Sequence, residues 1–433
     1  MLPLVAMDSR RPSESTSRRS LLGREPSFRR LFLAVLGSGA GTWLALVALE
    51  IDVFERTHSS AWIAALLIAD LLPSFAIGIL AGPLIDRLPR RSLMIGADLV
   101  RFGAFAALPF TTNAAQIVAL AGVVGVATGV FRPAIYAAIP NSVPDAELAS
   151  ANSLVQLADN ITWALGSLAG GALAAGVGVD AAYWINSATF LLSAVLLAGI
   201  PAKLLQAATA PSRGHWQDLK DGFGISVRSR GLLTVLVAWN VAMFATAAVN
   251  VAEPSLALHT FSAGRFGLGL MMGCAGLGLA VGAYLAGSWI ERRGLANVYG
   301  ASLGLMAVGI GAGAVSPNVW VAAACVVVLG CGNGSAVVCN ALLVQRGAPD
   351  ELRGRAFAVL MSSNVALLVL GMVVAGQVTD TVGPRWVWAV AAVAAAAAAV
   401  VGFLLARRVG RAAPVAPAEP LPVTAHAAEH AQH

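Results

Sequence analysis

GPLIDRLPRR, residues 82–91, closes one apolar run and opens the next, and a degenerate copy, GSWIERR, occupies residues 287–293. The two stretches begin 205 residues apart. The same offset carries Pro144 and Asp145 onto Pro349 and Asp350, and Gly166 and Gly171 onto Gly371 and Gly376. Three landmarks in register, each on an equivalent element, mark an internal duplication.

Outward from these landmarks the chain is a series of apolar runs of the length needed to cross a hydrocarbon core about 30 Å thick. Mean hydropathy is +0.77 and only 12% of residues are charged, too few for the surface of a soluble domain of 433 residues. Spans are expected at 31–54, 59–81, 92–110, 114–138, 149–177, 181–200, 231–257, 266–288, 295–315, 318–344, 354–378 and 385–406. The expected fold is therefore an all-α membrane protein of twelve transmembrane helices in two pseudo-symmetric six-helix bundles. Its expected parts are a polar tail (1–30), an N-half (31–200), a linker (201–230), a C-half (231–406) and an Ala/Pro-rich, disordered tail (407–433). The first thirty residues lack an apolar core and a cleavage site, so they read as a tail and not as a signal peptide.

Of the 28 Lys and Arg, all but Arg56, Arg101, Arg132, Arg265 and Arg385 fall in segments that twelve spans place on one side. Positive charge resists translocation, so that side is expected to be cytoplasmic, with both termini on it, in the cell membrane. This bias accounts for the net charge of +6 and gives no reason to expect a nucleic-acid partner. Six spans return the chain to its starting side, so the halves have parallel topology and enclose a cavity near the midplane. Rocking the halves about such a cavity gives alternating access.

Charges within spans are expensive unless paired or facing water. The N-half carries Asp70, Asp98, Arg101, Arg132 and Asp159. From the helical rise, Asp70, Arg101 and Asp159 lie roughly 15–18 Å above the cytoplasmic boundary, with Asp98 and Arg132 roughly 10 Å up. Three acids face two bases, so one carboxylate is left over and can exchange a proton during turnover. Asp70 is the first candidate, Asp159 the second, with Arg101 as exchanging partner. A static ion-pair network is the competing reading, since Asp98 and Arg101 are spaced i,i+3. Polar and aromatic positions at helical spacing form a mixed lining for a bulky, amphipathic ligand: Trp43, Gln156, Asn160, Trp163, Asn240, Phe244, Asn250, Glu253, Asn333 and Asn340. Hydrogen bonding between helices is the alternative for each of them.

Other chemistries find no support. The two lysines, Lys203 and Lys220, do not follow glycine, which excludes a Walker A loop. Cys274, Cys325, Cys331 and Cys339 have neither paired spacing nor His neighbours, so no metal site and no cofactor is expected.

GPLIDRLPRR resembles the signature between the second and third helices of the major facilitator superfamily, and GSWIERR its echo in the second half. PDELRGR (349–355) is similar to the loop before helix eleven in the exporter branch that includes enterobactin and macrolide efflux proteins. GSLAGG (166–171) resembles the antiporter motif, with Ser167 where proline is typical, and Pro89 stands where the loop signature usually has glycine. The resemblance implies a cytoplasmic gate made of Gly82, Asp86, Arg87, Arg90, Arg91, Glu291, Arg292, Asp350, Arg353 and Arg355. It implies a monomeric secondary transporter in the lipid bilayer, a drug-, antibiotic- or siderophore-exporting antiporter driven by the proton gradient and not an enzyme. An importer or uncoupled facilitator of a small metabolite stands second, and a non-transporting membrane enzyme or sensor is the remote third.

Overall fold

The computed structural model describes residues 21–80, 88–202, 229–347 and 350–409. The central part of the expected linker, both tail ends and Gly82, Asp86 and Arg87 of the gate lie outside the described residues. Twelve long helices account for nearly all of the rest. The first half contains α1 (Pro26–Thr57), α2 (Ser60–Leu80), α3 (Arg90–Ala107), α4 (Ala114–Ala138), α5 (Leu148–Gly176) and α6 (Val179–Ala198). The second contains α7 (Arg230–Thr260), α8 (Gly264–Arg293), α9 (Leu295–Ala314), α10 (Val319–Gly347), α11 (Asp350–Val382) and α12 (Pro384–Val409). Eleven of them are long and apolar enough to cross a membrane by composition alone. The twelfth, α5, is a 29-residue helix whose polar stripe lowers its hydropathy.

The first helix starts earlier than the apolar run suggests. Residues 21–24 are already helical and α1 opens at Pro26, so the expected boundary at residue 30 moves back by about two turns. Proline at the first helical position loses no hydrogen bond there. Leu21 and Phe28 are fully buried, and the basic residues between apolar positions find partners. Arg24 pairs with Glu147 at 2.6 Å, while Arg30 donates to the Gly199 carbonyl just beyond α6. Arg91 donates to the carbonyl of Ala198 beside it. Two cations thus meet the negative end of one helix, where they are electrostatically favoured.

Contacts obey the sequence offset. α1 packs on α5 and α6, α2 on α4, and α3 on α4 and α6; the second half repeats this with α7 on α11 and α12, α8 on α10, and α9 on α10 and α12. The halves meet through α5 with α8 and through α2 with α11. Glycine makes both crossings possible. A Cβ on Gly171 would lie 2.7 Å from the Gly269 Cα, and one on Gly376 would lie 2.8 Å from the Ala64 Cβ and 3.1 Å from the Ala61 Cα. Gly171 and Gly376 are repeat partners, as are Ala64 and Gly269, so the two crossings are copies of one another. Small residues let the backbones approach where lipid supplies no hydrophobic drive.

Among the described residues, the close approaches between the halves lie toward the end opposite the start of α1 and the end of α12. Gly269, Gly273 and Gly276 of α8 meet Gly171, Leu168, Ala164 and Trp163 of α5. Farther along the same face of α8, Gly287 has open space before it and Tyr284 is 87% exposed. On α5, Leu157 and Gln156 are exposed as well. The result is a cleft sealed at one end and open at the end where α1 begins and α12 finishes.

Candidate functional site

The charged cluster of the N-half divides into a locked pair and a looser group. Asp98 and Arg101 form a buried ion pair at 2.5 Å, and Ser193 of α6 donates to the second carboxylate oxygen at 2.7 Å. The Arg101 guanidinium is enclosed between the rings of Phe131 (3.9 Å) and Phe190 (4.5 Å). Asp98 and Arg101 are therefore a static tie between α3, α4 and α6, as the i,i+3 spacing allowed. Asp70 and Asp159 both lie within the field of the exposed Arg132, and Asp70 lies within that of Arg101 as well. Asp159 also accepts a long contact of 3.5 Å from the Tyr136 hydroxyl. Asp70 lines a narrow cavity of about 50 Å³ with Thr42, Leu46 and Phe105, and has no hydrogen bond among the described residues.

Above this group the cleft ends on aromatic rings. Trp43 of α1 and Trp163 of α5 stack with centroids 4.8 Å apart and planes 8° from parallel. A Cβ on Gly276 would come within 3.1 Å of the Trp163 ring, so this stack marks the point where the halves part. Asn160 and Gln156 follow on the open side of α5, partly and fully exposed respectively.

The C-half contributes a cavity of about 710 Å³ between α7, α10 and α11. Asn240 and Asn340, expected lining residues, meet there with Asn364, which the sequence reading passed over. Asn240 donates to the Ser363 hydroxyl at 2.9 Å. A π-helical turn, Val235–Trp239, immediately precedes Asn240 and rotates Trp239 and Asn240 relative to a regular helix.

Other expected lining residues are placed elsewhere. Phe244 borders a separate apolar groove of about 610 Å³, beside Trp386 and Val390, which are 68% and 67% exposed. Asn333 is half-buried on α10, and Asn250 is exposed on α7. Glu253 does not line the cleft. It is buried in the sealed end within electrostatic reach of Glu50 from α1, and its Oε1 has no hydrogen bond. Hydropathy gives depth along a helix but not rotation around it, so these positions could not be told apart.

Of the expected gate, Arg90 donates to the Ala137 carbonyl at 3.0 Å, which ties α3 to α4 within one half. Glu291 and Arg292 are exposed at the open end of α8. Asp350, Arg353 and Arg355 stand on the first turns of α11, with side chains outside the described set. The sealed end carries clasps that were not anticipated. Arg265 grips Glu55 with two hydrogen bonds, 2.9 and 2.8 Å, and donates to the Ala174 carbonyl. The carboxylate of Asp380 accepts from the Ser59 hydroxyl (2.6 Å) and the Ser60 amide (2.7 Å) at the start of α2. The signal was present: Arg265 is one of few cations at that end of the chain.

Twelve membrane-length helices in two pseudo-symmetric bundles, with a cleft closed at one end, define a membrane transporter of the major facilitator fold. The crystal structure of the nucleoside transporter NupG aligns with a TM-score of 0.72 at 14% identity, covering 88% of this chain and 99% of that one. A bacterial homologue of the iron transporter ferroportin, in an inward-facing state, aligns at 0.70 with 16% identity, covering 88% and 98%. The chain belongs to the MFS_3 family, described as transmembrane secretion effectors, whose model matches residues 22–432. Its relatives include the uncharacterized MFS-type transporter YfiS of Bacillus subtilis, 25% identical over 360 residues, covering 80% of this chain and 85% of YfiS. The multidrug efflux pump Tap of Mycobacterium tuberculosis is 27% identical over 378 residues, covering 83% and 88%. The protein is a multi-pass membrane transporter and not an enzyme.

Proposed function

We propose that this transporter exports amphipathic small molecules from the cell in exchange for protons. The start of α1, the end of α12 and Arg24, Arg30, Arg90, Arg91, Arg292 and Arg293 lie at the open end of the cleft, so with that end in the cytoplasm the structure is the inward-open state, ready to load cargo. The observation that carries the reading is the lining itself: the stacked tryptophans of the N-half face, across the cleft, a large C-half cavity lined by amide and apolar side chains without a fixed charge among the described residues, which suits bulky, partly apolar cargo. Similarity to a multidrug efflux pump points the same way.

Proton coupling follows from the N-half. With Asp98 and Arg101 committed to each other, Arg132 stands against two carboxylates, and Asp70 is the one without a hydrogen bond. A carboxylate so placed can hold a proton in one state and release it in the other. No metal or organic cofactor enters this scheme, and a single chain contains the whole pathway.

The test is flux. Purified protein in liposomes, with a pH gradient imposed, should move ethidium against its own gradient, and nigericin should abolish the movement. Equilibration at the same rate with and without the pH gradient would replace the exporter by a facilitator. No movement of ethidium or of a panel of uncharged drugs would overturn the reading.

A further inference from the structure

The acids of the sealed end fall into two groups. Asp52 is bound by Arg56 at 2.6 Å and by the Tyr183 hydroxyl at 3.0 Å. Glu55 has Arg265, Asp380 has Ser59 and Ser60, and Asp180 stands exposed at the start of α6. Glu50 of α1 and Glu253 of α7 are the exceptions, buried at 3% and 7% exposure. Among the described residues, which include every residue of the helix segments forming this end, no cation and no hydrogen bond reaches either carboxyl. Glu50 lies within the field of Glu253, and the Cys274 thiol on α8 is the other titratable group within reach of Glu253. At this level α2, α4 and α5 bring no ionisable side chain, His58 and His259 are exposed, and Arg385 of α12 donates to the Ala314 carbonyl.

Helical spacing puts both acids on packing faces. Glu50 shares a face of α1 with Val47 and Ile51, and Glu253 shares one of α7 with Val249 and Leu256. Those four apolar residues belong to one packed core that runs from half to half. The two carboxyls therefore straddle the boundary that has to part when this end opens. The path of α7 changes at the same place: Pro254 follows Glu253, and residues Ser255–Thr260 form a π-helical turn. Such a turn is a place where a helix bends.

We propose that Glu50 and Glu253 form a proton-binding latch between the halves, shut while they hold a proton and released when both carboxyls are ionised. Two bare carboxylates in a dry interior without a cation lose their hydration and repel each other. The sealed end therefore closes with at least one proton on the pair. Opening admits water, a carboxyl O–H bond breaks, its proton passes to that water, and both carboxylates become hydrated. Closing takes one proton back from the same side. The latch thus consumes no gradient and sets only the balance between sealed and opened states, which distinguishes it from the coupling role proposed for Asp70. With the open end in the cytoplasm, as proposed above, the proton comes from outside the cell. External acid then favours the state that loads cargo, and external alkali favours the state that releases it.

The latch is read from the distance across the sealed end. Spin labels on Thr112→Cys and Val315→Cys report it in the full-length chain in nanodiscs, freed of its native cysteines and so of the Cys274 thiol. Asp70→Asn is included so that the coupling carboxyl cannot contribute. Between about pH 5 and about pH 9 the ratio of long to short distances should rise, by about tenfold per pH unit where the pair loses one proton. Adding Glu50→Gln and Glu253→Gln together should flatten the profile at its acid value. Each substitution alone removes the repulsion and should lower the long-distance fraction at the alkaline end, so either one serves if the other folds poorly. A flat profile with both glutamates present, or an unchanged rise with both replaced, would overturn the latch. A flat profile beside ethidium export by wild type would end the latch and leave the transport reading standing; a steep profile without export would do the reverse.

Discussion

The two halves descend from one repeat and pack their helices in the same pairs, yet they bury different polar groups. The N-half buries an ion pair: Asp98 has Arg101 and Ser193, and Arg101 has two aromatic faces although its Nε has no hydrogen bond. Among the described residues the C-half buries no ion pair and instead encloses neutral amides, Asn240, Asn340 and Asn364. Duplication fixed the scaffold and left the interiors free to diverge.

The sharpest way to break that contrast is to disturb the charged side. Arg101→Ala leaves the buried Asp98 carboxylate without its cation, and loss of one partner of a buried pair destabilises by about 3–5 kcal/mol. A thermal melt of the purified protein should show it as the largest drop of any single substitution here. Restoring neutrality with Asp98→Asn in the same chain should recover much of the loss; a double variant as unstable as Arg101→Ala would mean that the pair is not the source.

The next test concerns the crossings that both halves share. Gly171→Leu places a side chain where the Gly269 backbone now sits, and Gly376→Leu does the same against Ala64. Overpacking of this kind costs about 1–3 kcal/mol, which shifts the balance between sealed and opened states about 5–150-fold. Spin labels on Thr112→Cys and Val315→Cys, in a chain freed of its native cysteines, should report a longer distance across the sealed end. Because the two crossings are repeat copies, both variants should act alike, and an effect from only one would break the symmetry argument.

The clasps should matter less. Glu55 and Arg265 are 41% and 35% exposed at the side chain, so their pair is screened by water. Arg265→Ala should weaken the sealed end by under about 1 kcal/mol. The same labels should show a small gain in the longer distance, and a gain rivalling that of Gly171→Leu would mean that the clasp and not the helix crossing holds the end shut.

Much of this was legible before any coordinates. Hydropathy located the spans, the 205-residue offset gave the pairing of halves, and Asp98 with Arg101 announced itself by spacing. The start of α1 was not legible, because Arg24, Arg29 and Arg30 make that stretch polar on average although Leu21 and Phe28 are buried in it. Asn364 was also missed. It lies in an otherwise apolar run, and its significance comes from residues more than 100 positions away, Asn240 bound to the neighbouring Ser363. The short polar island of Ser362, Ser363 and Asn364 was the one local hint. Depth and composition are properties of one helix, whereas a site is a property of several.

The division of labour between the halves is tested most directly by Asp70→Asn in proteoliposomes, with gradient-driven and downhill transport of ethidium measured on the same preparation. The account predicts that accumulation driven by the pH gradient falls to background while downhill exchange persists. Full gradient-driven accumulation in Asp70→Asn would contradict it.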